Sequence, residues 1–112
     1  MRCRWFLLLL LTAACGAKTI EEQSCEQTEL TYDNFGAAFL NAHCQTCHGA
    51  IGSDRRGAPL AYDFGTAELA RAYKDRIYVR AASVNTTMPP GPDDPSEEAR
   101  EQLAEWLACD AP

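Results

Sequence analysis

A chain of 112 residues, 46% hydrophobic and 23% charged, has room for one small domain, whose core is marginal without a metal, disulfide or cofactor at its centre. Its 16 acidic residues against 10 basic ones give a formal charge of −6 with no basic stripe, which leaves no footprint for nucleic acid. The acidic balance suits solubility and steering toward a basic patch on a partner.

In chain order the first element is a leader. In MRCRWFLLLLLTAAC, Arg2 and Arg4 precede an apolar run, Trp5 to Leu11, that closes on small residues and is too short to be a mature membrane anchor. Residues 1–14 are therefore expected to be a signal peptide. Thr12-Ala13-Ala14-Cys15 resembles a bacterial lipobox, in which the cysteine becomes lipid-modified and N-terminal. Thr12 stands where a leucine is usual, so ordinary signal-peptidase cleavage and a bare thiol at Cys15 remain alternatives. Either route carries the chain out of the cytoplasm, and with the lipid its expected place is the periplasmic side of a bacterial membrane, inner or outer. Without the leader, eight basic residues face 16 acidic ones, a formal charge near −8.

Residues 15–28, polar and acidic, read as a lipidated N-terminus and tether, with the folded domain over 29–112. From Thr31, a capping residue, Phe35, Phe39 and Leu40 predict a helix running into two cysteines, with Gly36 in its middle hinting at close packing. Residues 49–65 are a Gly- and Pro-rich loop. Thr66 is the expected N-cap of a helix carrying Leu69, Tyr73 and Ile77 on one face. The prolines of SVNTTMPPGPDDP forbid regular structure around Met88. Ser96 then caps a final helix with Glu97 and Glu98 in its first turn and Leu103, Trp106 and Leu107 on its apolar face. No strand-like alternation occurs, so the domain is expected to be all-α.

Cys44-Gln45-Thr46-Cys47-His48 is the attachment sequence for a c-type haem: both cysteines bond the haem vinyl groups as thioethers and His48 is the proximal iron ligand. A structural zinc site would need two more ligands, and the candidates His43, Cys25 and Cys109 are ill placed for it. A thioredoxin-like pair would need a βαβ setting. His43 reads as a solvent-facing neighbour. With Cys15 lipidated and Cys44 and Cys47 in the motif, Cys25 and Cys109 remain and are expected to form a disulfide in an oxidising compartment, the alternative being that Cys25 stays free in the tether or pairs between molecules.

On these residues the chain resembles a small, single-haem class I cytochrome c over roughly residues 31–108. The resemblance implies three to four helices around one covalent haem c. It implies that Gly36 and Leu40 cross the last helix at Leu103 and Trp106, and that Cys25 and Cys109 approach each other near that crossing. It places at Pro59 the carbonyl that accepts the His48 Nδ1 hydrogen, with Leu60 as a haem-packing neighbour. Met88, the only methionine after the leader, lies in a proline-stiffened loop similar to the family's methionine loop and is the expected sixth ligand. Arg55 and Arg56 are either propionate partners or simply solvated; Tyr62, Tyr73 and Trp106 are expected core aromatics. His/Met ligation leaves no open position for substrate, so the expected function is a membrane-tethered periplasmic electron carrier with transient redox partners, not an enzyme. A haem-based sensor with a displaceable Met88, or an accessory haem subunit of a larger oxidoreductase, are the alternatives.

Overall fold

The computed structural model describes residues 16–49 and 54–112, so the expected leader and Cys15 lie outside the described residues. Five α-helices are present among them: α1 (Ala37–His43), α2 (Gln45–His48), α3 (Ala67–Ala72), α4 (Lys74–Ala81) and α5 (Glu97–Ala108). A 3-10 turn at Ile20–Glu22 and a π-helical turn at Tyr32–Gly36 complete the helical elements, and the described residues contain no strand. The domain is all-α, as expected of a small cytochrome c fold. The helix count is higher because two expected helices are interrupted. The first passes through the π turn into α1 and breaks at Cys44 (φ −122°, ψ −41°) before α2. The second breaks at Tyr73 (φ −104°, ψ 15°), whose ring stands edge-on to Tyr62 and Phe64.

All three expected caps form. Thr31 Oγ1 accepts the Asn34 N–H at 3.1 Å while Asn34 Oδ1 accepts the Thr31 N–H at 2.7 Å, a reciprocal box. Thr66 Oγ1 accepts from Leu69 N, and Ser96 Oγ from Ala99 N, each at 3.1 Å. The core is built where Trp106, Leu103 and Leu107 of α5 meet Leu40 and Tyr78, all below 2% exposed. A Cβ on Gly36 would lie 2.4 Å from Trp106 Cζ2, so only glycine lets the π turn come this close to the indole. The crossing of Gly36 and Leu40 with Leu103 and Trp106 is therefore present.

Residues 16–28 are not a free tether. The 3-10 turn packs against α4 and α5, and Ile20 covers the core. Asn85 grips the Lys18 peptide from both sides, Oδ1 accepting its N–H at 2.9 Å and Nδ2 donating to its carbonyl at 2.8 Å. Polar composition misled the tether reading because a segment with one apolar anchor, Ile20, is docked mainly through hydrogen bonds of its backbone and polar side chains. The segment is then fastened by a disulfide between Cys25 and Cys109, Cα atoms 5.1 Å apart across 84 residues of sequence. No helix among the described residues is long and apolar enough to cross a membrane.

Candidate functional site

The break at Cys44 sets the short helix α2 at the mouth of a cleft of about 320 Å³. Cys44, Cys47 and His48 line one part of it, Pro59, Tyr62 and Phe64 another, Ile77 and Ala81 of α4 its apolar side, and Met88 with Pro89 and Pro90 the remainder. Neither thiol is paired. Burial pushes the Cys44 thiol from 9.0 up to about 12, with adjacent Cys47 adding to the rise, so Cys44 is neutral in this fold.

His48 is held on three sides. Its Nδ1 lies 2.7 Å from the Tyr62 carbonyl. A carbonyl only accepts, so Nδ1 carries the proton and Nε2 keeps its lone pair for a metal. The ring stacks on Phe64, with centroids 4.6 Å apart, and the Phe64 N–H donates to the His48 carbonyl at 3.2 Å. Phe64 is itself core, 6% exposed, and its carbonyl accepts Gln45 Nε2 at 2.8 Å.

Three expected placements change. Pro59 lines the cleft, but its carbonyl accepts Arg55 Nη2 at 2.7 Å instead of His48. The chain turns at this point, Tyr62 N donating to Pro59 O at 3.0 Å, and the turn carries the His48 acceptor three residues further on. Leu60, on the corner of that turn, is 81% exposed and does not line the cleft. His43 is half-buried in the cleft wall, its ring 4.9 Å from that of Phe39, instead of facing solvent. Its Nδ1 is buried without a hydrogen-bond partner.

Met88 is where the sequence places it, half-buried on the cleft wall. Its N–H donates to Arg80 O at 2.8 Å and its carbonyl accepts Arg100 Nη1 at 2.9 Å. Arg55 does not reach out into solvent. Its Nη1 donates to the Gly49 carbonyl at 2.6 Å and its Nε to that of Ala58 at 3.2 Å, while Nη2 also stands 3.4 Å from the Tyr62 carbonyl that serves His48. Arg56, Arg76 and Arg80 also line the cleft, so its rim is basic on an acidic protein. Sequence reasoning missed the Tyr62 carbonyl, Phe64 and Arg100. The first has no sequence signal, since any residue supplies a carbonyl. Arg100 had one, a charge on the same helical stripe as Leu103 and Leu107.

These residues fit a covalently bound haem c. Two unpaired thiols share the cleft with a histidine whose remaining nitrogen is free to ligate. The cleft behind them is apolar, and arginines at its rim match the two propionates. A zinc site does not fit, because Cys25 and Cys109 bond each other, and the described residues gather no cluster of three or more His, Cys, Asp or Glu that could hold a metal. A family model described as "Cytochrome C oxidase, cbb3-type, subunit III" matches residues 34–107, spanning the motif, both loops and α5. No curated protein and no solved structure matches the chain. A match over well more than half of the chain, on the residues that build this cleft, shows that it belongs to the cbb3-type cytochrome c oxidase subunit III family and is a c-type cytochrome.

Proposed function

We propose that this chain carries one haem c, attached through Cys44 and Cys47 and ligated by His48 and Met88, and works as a membrane-tethered electron carrier on the periplasmic side. The observation that carries the reading is the single cleft in which both thiols, the His48 ring with its proton fixed on Nδ1, and Met88 meet. When bound, the group supplies a one-electron ferrous/ferric couple, which a thioether ligand biases toward the reduced form. The residues of this chain do the rest. Tyr62 and Phe64 fix the tautomer and plane of His48, Ile77 and Ala81 exclude water, and the prolines after Met88 stiffen its loop. Held by both His48 and Met88, the group would offer no place to a substrate, so the chain would exchange electrons rather than transform a bound molecule.

The arginines of the cleft edge that do not meet haem propionates would leave a local positive charge that suits partner carboxylates at the contact, within a surface that is acidic as a whole. A lipid on Cys15 holds the domain at the membrane.

The test is the optical spectrum of the mature protein. A haemochrome with both vinyl groups saturated is expected, together with a methionine-to-iron charge-transfer band in the oxidised form. Met88→Ala should abolish that band, admit carbon monoxide to the reduced form and leave the haem covalently attached. Ready carbon monoxide binding by the unaltered protein would instead support the sensor reading. A second reading, a haem subunit docked permanently in a larger oxidase, is favoured by the family model, which describes an oxidase subunit. Co-purification of stoichiometric partner subunits from detergent-solubilised membranes would establish it over the carrier.

A further inference from the structure

Arg100 is a cation inside the core, 4% exposed, on the α5 stripe that also carries Leu103 and Leu107. Its Nη1 stands among three backbone carbonyl oxygens, those of Ala81 at 2.8 Å, Met88 at 2.9 Å and Asn85 at 3.1 Å. Asp94 is 4.0 Å from Nη2, and Glu97 and Glu101 line the same surface pocket. Its backbone takes part too, the Arg100 carbonyl accepting the Ser83 N–H at 2.9 Å. Ser83 sits at φ 54°, a region side chains disfavour, so this bond holds a turn that would otherwise relax. Every one of these acceptors lies at the end of α4 or in the loop that delivers Met88.

A buried charge is costly, and an apolar residue beside Leu103 would pack α5 without that desolvation. What an apolar residue cannot do is join α5 to three carbonyls of an irregular loop. Lysine does not replace it equally, because its stem ends one bond short of Nη1 and it has no second nitrogen to turn toward Asp94. We infer that Arg100 is the positioning residue for Met88: it fixes the backbone of the methionine loop against α5, so that the thioether faces the cleft without being held there by iron. This rests on Met88 being an axial ligand, as proposed above. The fraction of molecules with the methionine in place then depends on Arg100, and so does resistance to competing ligands.

The experiment uses the mature holoprotein with Arg100→Lys, Arg100→Met and Met88→Ala. Covalent haem should be retained in all three. Both Arg100 variants are expected to show a weakened charge-transfer band and to bind imidazole in the ferric state at least about tenfold more tightly than the unaltered protein, with Met88→Ala setting the upper limit. A band and an imidazole affinity within twofold of the unaltered protein in both Arg100 variants, while Met88→Ala loses the band, would overturn the inference and leave the ligand assignment standing. No band in the unaltered protein and no effect of Met88→Ala would overturn the ligand assignment, and the inference with it. Should the Arg100 variants fail to accumulate, native-state hydrogen exchange of the unaltered protein decides. A clamped loop exchanges its Ser83 and Met88 amides together with those of α5; exchange 100-fold faster than α5 overturns the clamp.

Discussion

The two irregular loops that wall the cleft, residues 54–64 and 82–95, each receive several hydrogen bonds from one arginine, in contrasting ways. Arg55 belongs to the loop it organises. It is half-buried, and its acceptors lie within three to seven residues of it along the chain. Arg100 belongs to the opposing helix, is buried, and reaches acceptors 12 to 19 residues away. The histidine-side loop is thus folded on itself and anchored separately by Phe64, whereas the methionine-side loop has no large buried apolar side chain of its own and is tied to α5 by Arg100 and to α4 through Arg80 O and Tyr78 O. One loop shapes its ligand locally. The other borrows rigidity from the core, so its fidelity tracks the packing of α5.

The contrast can be broken most sharply at Phe64. Phe64→Ala removes the anchor of the histidine-side loop and the stacking partner of His48, and should cost about 4 kcal/mol, read from urea unfolding of the holoprotein. A loss below about 1 kcal/mol would mean that Arg55 alone holds this loop. Cys25→Ser with Cys109→Ser should cost about 3 kcal/mol through the unfolded chain while leaving the charge-transfer band unchanged. A weakened band there would show that the methionine loop responds to any loss of stability, not to Arg100 in particular. Arg100→Met should cost about 2 kcal/mol, since three buried carbonyls lose their donor while the desolvation of a cation is relieved. Arg55→Ala should cost less than about 1 kcal/mol, because water can replace its bonds at a half-exposed site. Its effect belongs to the reduction potential, which should fall. The Tyr62 carbonyl, no longer shared with a guanidinium, accepts the His48 proton more strongly and makes the ring a better donor to iron. A raised potential in spectroelectrochemical titration would contradict this.

What was legible in the sequence is what local chemistry encodes. Thr31, Thr66 and Ser96 cap helices through bonds to residues three positions on, so their roles follow from spacing. Cys44, Cys47 and His48 are contiguous, and the closeness of Gly36 to Trp106 is foreshadowed by a glycine no isolated helix would choose. The rest rests on carbonyls. Nothing in the letters of Pro59 and Tyr62 distinguishes which one faces His48; a single turn decides it. Arg100 in SEEAREQ looks like any solvated arginine until its helical register with Leu103 is set against its charge. The docking of residues 16–23 was hidden for the same reason, since Asn85 reads the Lys18 peptide and not its side chain.

That grip has a consequence for how the protein meets its partners. Only two residues separate Cys15 from Lys18, about 10 Å of extended chain from one to the other. With the acyl chain proposed for Cys15, the domain cannot sweep a hemisphere above the bilayer as a carrier on a long leash would. So anchored, it would glide in a layer one small protein thick, searching in two dimensions at nearly constant height. Donor and acceptor would then have to offer their entry points within that layer, and lengthening the stretch between Cys15 and Lys18 would widen the choice of partners at the cost of encounter frequency.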